Sequence, residues 1–266
     1  MKKTLMISCQ GKGGCGKSHS AFLATSWAIH HNIPYIGLDT DSSNATYGDF
    51  SDFNVKSVET MDEDGLEIKP EKWDTLAYFL LENLKDESLC VVDIGASQFQ
   101  SFVSWAVSSN IFSEILKEHF NTHLLVPVAG GEMLLDTING LKYLTELFSE
   151  DVNIVAIATE YFGELKDENG NSFEEMPEYM EIKKRLGGVL YLRKMDPLQT
   201  LAVEKMKKAK LTPEQTKLDE RFKLLEKSRI NTVMNNSYMM LDQIFDLPTP
   251  PKKSKTNTKK EEEATA

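Results

Sequence analysis

The segment Gly11-Lys12-Gly13-Gly14-Cys15-Gly16-Lys17-Ser18 fits the phosphate-loop pattern of a glycine, four residues, then Gly-Lys-Ser. Its flanks agree. Thr4-Leu5-Met6-Ile7-Ser8-Cys9 before it reads as a buried strand, and Ala21-Phe22-Leu23-Ala24-Thr25-Ser26-Trp27-Ala28 after it reads as a packed helix. Strand, glycine-rich turn and helix are the context the motif requires. Glycines let the backbone approach a polyphosphate and turn its N–H groups inward. The helix N-terminus adds the positive end of its dipole. In this arrangement Lys17 reaches the β- and γ-phosphates and Ser18 ligates Mg²⁺. Lys12, directly after the first glycine, faces either solvent or a second polyphosphate; spacing alone does not choose.

Composition sets outer bounds. A chain of 266 residues, 41% hydrophobic and 27% charged, suits one α/β domain of ordinary size. The net charge is −11; the last fifteen residues carry five Lys and three Glu, a net of +2, so the body before them is at −13. Such a body argues against a broad DNA-coating surface while leaving a local basic patch open. The three cysteines, Cys9, Cys15 and Cys90, have neither disulfide nor zinc spacing, which fits a reducing cytoplasm. No apolar run reaches the ~18 residues of a membrane span. The N-terminus runs directly into the first strand, so no cleavable signal is expected. Beyond Pro248 the composition changes to prolines, lysines and three glutamates. A folded domain over 1–247 and a disordered, charged tail over 248–266 are expected.

Further strands read at Pro34–Asp39, Leu89–Ala96, Thr122–Val128, Val152–Ala158 and Val189–Leu192. Helices read at Trp73–Leu84, Leu134–Phe148, Thr200–Lys210 and Ser228–Phe245. Residues 48–72 read as loop with short elements, and Thr212–Lys227 as a charged connection. Strands alternating with helices predict a doubly wound, mostly parallel sheet with helices on both faces. The strand ending in Asp39 runs into Thr40-Asp41-Ser42-Ser43-Asn44-Ala45-Thr46, where open α/β sheets place ligand chemistry. Taken alone, those two carboxylates equally suit capping of a following helix. Cys15, near a lysine and a helix N-terminus, is a candidate for a lowered thiol pKa.

Lys12-Gly13-Gly14-Cys15-Gly16-Lys17-Ser18 resembles the deviant Walker A loop of the ParA/MinD family. With Asp39-Thr40-Asp41-x-x-Asn44-Ala45-Thr46, Glu160-Tyr161-Phe162-Gly163 and Ser172-Phe173-Glu174-Glu175, the chain looks like the TraL/MobD branch of ParA-like ATPases, encoded with plasmid transfer genes. The resemblance covers most of residues 1–245, motif by motif in the first half and more loosely in the second. It implies ATP and Mg²⁺ as ligands, held by Gly11, Lys12, Gly13, Gly14, Cys15, Gly16, Lys17 and Ser18. It implies that Lys12 crosses a dimer interface to the partner's ATP. It gives Asp41 to the attacking water, Asp39 to the magnesium side, and Asp93, at the Walker B position, to Mg²⁺ through water. Lys12, Lys17 and Asp41 are then the catalytic set and Ser18, Asp39 and Asp93 the metal set. Family members often carry Asp-x-Pro-Pro after the Walker B acid; this chain has Asp93-Ile94-Gly95-Ala96-Ser97, where Gly95 is free to offer an N–H. The branch usually has Asn before Glu-Tyr to read adenine; here Thr159 makes one of those hydrogen bonds but not the paired set. Met195-Asp196-Pro197 either lies near the base, with Pro197 in contact, or is an ordinary proline turn.

What the resemblance implies overall is a slow ATP hydrolase that dimerises around Mg·ATP and serves a protein partner in plasmid transfer, or in partition. A nucleotide-gated binding module with negligible turnover remains the alternative. An iron–sulfur reductase on the same fold needs paired cluster cysteines, which Cys90 inside a strand does not supply; a small-molecule ligase of the cobyrinate or biotin kind shares only the phosphate loop.

Overall fold

The computed structural model describes residues 3–41, 46–50, 52–58 and 70–245, so Ser42 to Ala45 of the first acidic loop and the whole tail lie outside the described residues. In chain order the elements are β1 (Lys3–Ser8), α1 (Lys17–His30), β2 (Tyr35–Asp39), β3 (Val55–Ser57), α2 (Pro70–Asn83), β4 (Leu89–Asp93) and α3 (Phe99–Ser108). A π-helical turn (Phe112–Leu116) and α4 (Lys117–His119) lead into β5 (Phe120–Ala129). Then come α5 (Leu134–Leu147), β6 (Val152–Thr159), α6 (Pro177–Ile182), β7 (Leu186–Leu192), α7 (Pro197–Lys208), α8 (Pro213–Leu218) and α9 (Leu224–Ile244).

The strands are near-continuous runs of apolar residues because both faces of the sheet are covered. Successive side chains alternate between two cores. Leu5, Ile7, Cys90, Val92, Leu124 and Ile154 pack with Trp73, Phe102, Leu141 and Ile182, on the side of α2, α3, α5 and α6. Met6, Leu89, Val91, Leu125 and Val155 pack with Phe22, Trp27, Val203, Met234 and Leu241, on the side of α1, α7 and α9. The seven strands form one sheet in the order β3-β2-β4-β1-β5-β6-β7, with every pair parallel. The expected doubly wound sheet is borne out. Strand order reverses around β1, the topological switch point where such sheets bind ligands at their carboxyl ends.

The structure differs from the sequence reading in several elements, α3, α7 and α8 among them. Residues 99–108, to which no element is assigned above, form α3, burying Phe99, Phe102, Val103, Trp105 and Ala106 on one face. The connection over 212–227 contains α8, which opens with a reciprocal cap: Gln215 N–H donates to Thr212 Oγ1 (3.2 Å) and Thr212 N–H donates to Gln215 Oε1 (2.8 Å). Helix α7 begins at Pro197 rather than Thr200, because Asp196 caps it by accepting from the N–H groups of Leu198 (2.8 Å) and Gln199 (2.9 Å).

Candidate phosphate-binding site

The glycine-rich loop leaves β1 and enters α1 through two left-handed residues, Gly14 (φ 72°) and Gly16 (φ 111°), conformations that side chains rarely adopt. The loop is anchored from below. Gln10, 1% exposed, donates through Nε2 to the carbonyls of Pro127 (3.1 Å) and Thr137 (3.0 Å) and accepts the Gly11 N–H (2.9 Å). Its amide therefore bolts the loop to β5 and α5. Ser8 Oγ donates to the Lys17 carbonyl (2.8 Å), which ties β1 to the first turn of α1. Lys17 curls back so that Nζ donates to the Lys12 carbonyl across the loop (3.0 Å).

Lys12 has a partner that the sequence reading does not anticipate. Its Nζ pairs with Asp136 Oδ2 on α5 at 2.7 Å, both side chains about half exposed. Facing solvent or a second polyphosphate are thus not the only options; a carboxylate of the same chain is a third. The Cys15 expectation is also overturned. Its thiol is fully buried and donates to the Lys12 carbonyl (3.1 Å), and burial pushes its pKa up, outweighing the Lys17 charge that pulls it down.

The acidic residues meet through sheet register. Asp39, the last residue of β2, lies beside Asp93, the last residue of β4, and Asp93 lies beside Ser8 of β1. Asp39 accepts the N–H of Asp41 (2.9 Å) through Oδ1 and of Gly48 (3.1 Å) through Oδ2, so it shapes the loop that carries Asp41. Burial raises the Asp39 carboxyl, with these two hydrogen bonds opposing. Asp93 is 2% exposed, and its Oδ1 has no hydrogen-bond partner among the described residues. Burial pushes its carboxyl up to about 7, the Asp39 charge adds to this, and a hydrogen bond from Ser18 and the Lys17 charge oppose it. A buried carboxylate oxygen without a partner, next to a hydroxyl and a second acid, is a hard-oxygen set that suits Mg²⁺ completed by water and phosphate. No group of three or more His, Cys, Asp or Glu able to hold a metal by themselves occurs among the described residues. Gly95 is not free to meet a phosphate, because its N–H donates to Thr40 Oγ1 (3.1 Å). A side chain there would also collide with Gln98 Oε1, 1.9 Å from the position of a Cβ.

Beside the loop opens a cavity of about 630 Å³, a size suited to a small-molecule ligand. Cys15, Gly16 and His19 line it from the phosphate loop and α1, Thr159 and Tyr161 from the end of β6, Arg193, Lys194 and Met195 from the end of β7. The two latter loops are clasped by Glu160, which pairs with Arg193 (3.0 Å) and accepts the Lys194 N–H (3.0 Å). Thr159 spends its hydroxyl oxygen on the Tyr161 N–H (3.2 Å). Pro197 is the first residue of α7 and does not line the cavity, whereas Met195 does. The contributions of α7 and α9, and of Arg193 and Lys194, carry no local sequence signal, because they depend on the end of β7 lying beside the end of β6.

A parallel sheet with a phosphate loop after its central strand, two acids on adjoining strand ends and a cavity beside the loop define a P-loop NTPase fold of the ParA/MinD type. Solved structures agree on that fold. A ParA family ATPase from Chlorobium tepidum matches with TM-score 0.50 at 14% identity over 88% of this chain and 98% of that one. A chain of the MinC:MinD cell division protein complex of Aquifex aeolicus matches with TM-score 0.52 at 14% identity over 93% of this chain and 97% of that one. A protein assigned to plasmid partition in Borrelia burgdorferi, bound to AMPPNP, matches with TM-score 0.51 at 14% identity over 91% and 100%. No protein-family model matches the chain. In sequence it is similar to TraL: one TraL protein of Escherichia coli is 28% identical over 91% of this chain and 98% of its own length, a second 28% identical over 72% and 77%. The expected likeness, ParA/MinD-type and near TraL, is borne out. No helix among the described residues is long and apolar enough to cross a membrane.

Proposed function

We propose that this chain binds ATP with Mg²⁺ at the loop Gly11–Ser18, pairs with a second copy across the nucleotide, and hydrolyses it slowly as a switch in plasmid transfer. The observation that carries the reading is the convergence of Lys17, Ser18 and the partnerless oxygen of Asp93 at the carboxyl end of the central strands. The loop N–H groups and Lys17 hold the phosphates. Ser18 and Asp93, with Asp39 behind them, hold the cation, which neutralises phosphate charge when bound. Asp41, hung from Asp39 by its backbone, orients water toward the terminal phosphate. Phosphoryl transfer asks for positioning and charge neutralisation more than for covalent chemistry, and these residues supply both.

Lys12 must leave Asp136 to reach a partner's nucleotide. An exposed ion pair is weak enough to be exchanged in this way. Similarity to TraL supports plasmid transfer; likeness in fold to the Borrelia burgdorferi partition protein supports partition as the second reading. Light scattering with and without Mg·ATP tests the switch. Wild type is expected to double in mass with Mg·ATP, most clearly with Asp41→Ala, and Lys12→Ala to stay monomeric while still binding ATP. Wild type whose mass does not change with Mg·ATP would remove the dimer switch. Dimerisation and turnover unaffected by Lys12→Ala would reduce Lys12 to an ordinary loop lysine.

A further inference from the structure

The cavity beside the phosphate loop has an electrostatic asymmetry. Its lining includes four basic residues, His19, Arg193, Lys194 and Lys207, and no Asp or Glu, in a chain whose net charge is −11. Arg193 is already balanced by Glu160. Lys207 is not balanced by any carboxylate within ion-pair distance among the described residues. Its Nζ instead donates to Nδ1 of His19 (3.2 Å) and lies 5.9 Å from the centre of the Phe22 ring. The walls from α1, α7 and α9 carry apolar Leu23, Val203, Val233, Met234 and Met240, with the neutral polar Ser20, Gln199, Asn236 and Ser237 among them. The one carboxylate whose charge acts on it, Glu204 on the same helix, lies beyond ion-pair distance. A cation so held is costly to desolvate, and an anion entering the cavity would offset that cost. Burial accordingly lowers Lys207 to about 8, with the Glu204 charge opposing.

We propose that Lys207, aligned by His19, is an anion-binding residue of this cavity, taking a phosphate or carboxylate joined, directly or through a sugar, to an apolar or aromatic body that packs on the α7–α9 wall. A nucleotide's nucleoside monophosphate end has this chemistry, and so does a separate amphipathic anion. In the first case the inference deepens the nucleotide reading and rests on it: Lys207 then contacts the phosphate next to the ribose, independently of the Lys17 contact to the terminal phosphates.

The experiment compares charged and neutral probes by calorimetry on the full chain: AMP against adenosine, and octanoate against octan-1-ol. At least one anion should bind at least about tenfold more tightly than its neutral counterpart, as expected for a charge-assisted hydrogen bond in a partly desolvated site. Lys207→Met should erase that preference and Lys207→Arg should retain it, both with unchanged circular dichroism. Lys17→Ala should weaken ATP but leave the AMP preference intact; if it leaves ATP untouched, the phosphate-loop reading fails while this one stands. AMP preference identifies the nucleotide as the source, and octanoate preference alone identifies a separate amphiphile. Neither anion outbinding its neutral counterpart, or a preference that survives Lys207→Met, would overturn the proposal.

Discussion

Lys17 and Lys12 are five residues apart, yet they are held differently. Lys17 is 8% exposed and aimed across its own loop, where its ammonium can exchange the Lys12 carbonyl for a phosphate. Lys17→Ala should therefore lower ATP affinity by roughly tenfold or more, the worth of a charge-assisted hydrogen bond, in a calorimetric titration. Asp93 carries the opposite tension, between stability and ligand binding. Its carboxyl is raised from 3.8 to about 7 in the fold. A raised folded value means that the native state binds the proton more tightly, so stability is fully present below about pH 4 and is lost as pH climbs through about 7. Asp93→Asn has no such loss. Without nucleotide, its melting temperature should exceed that of wild type at pH 8 by several degrees, from a difference on the order of 2 kcal/mol, and the gap should close toward pH 4. The same variant should lose the Mg²⁺ dependence of ATP binding. A gap that widens on acidification would show that desolvation of Asp93 is not the cause.

At the scale of elements, the site depends on how β2 is backed. Gly37 in the middle of β2 leaves room for Tyr47, whose hydroxyl shares a 2.6 Å hydrogen bond with Thr25 Oγ1 of α1. A Cβ at Gly37 would stand 2.5 Å from the Tyr47 hydroxyl oxygen and 2.8 Å from Val55 Cγ2 of β3. Tyr47 is completely buried, so it cannot swing into solvent without opening the core beneath α1. Gly37→Ala should cost about 1–3 kcal/mol in urea unfolding, the usual range for overpacking a dense interior. A loss below about 0.5 kcal/mol would mean that Tyr47 and β3 relax freely. Helix α5 contributes in a second way: its Thr137 carbonyl anchors Gln10, and one residue earlier its Asp136 holds Lys12. One helix thus sets both the floor of the loop and the resting position of its outer lysine.

For the whole molecule, the proposed switch is an exchange of partners. In it, Lys12 bound to Asp136 would belong to the separate chain, and Lys12 on a second chain's phosphates to the pair. Asp136→Asn removes the competing carboxylate, so the ATP-dependent dimer should form at a lower protein concentration than in wild type. Analytical ultracentrifugation across a dilution series checks this, and an unchanged or higher midpoint would mean that Asp136 supports the paired state instead. The strongly acidic chain makes the encounter of two copies sensitive to salt, since like net charges repel over roughly the Debye length. Raising ionic strength should accordingly favour the dimer until it begins to weaken the Lys12 contact itself.

The phosphate loop was legible because it is local: eight consecutive residues specify the turn, and the apolar runs on either side specify the strand and helix. The parallel sheet followed from the same kind of local information, alternating strand and helix lengths. Helix α3 was not read, although its apolar face is regular, because a ten-residue apolar and small-polar run carries few charges to mark the solvent side. What lies far apart along the chain was decided by tertiary structure alone. Asp39 and Asp93 adjoin because β2 and β4 pair in one register among several that local patterning allows. Lys12 meets Asp136 across 124 residues and His19 meets Lys207 across 188, contacts that follow from how α5 and α7 dock on the sheet. Even the sign of the Cys15 shift was a tertiary matter. Sequence showed a lysine and a helix N-terminus, which lower a thiol pKa; the fold added burial, which raises it, and desolvation outweighs the neighbouring charge.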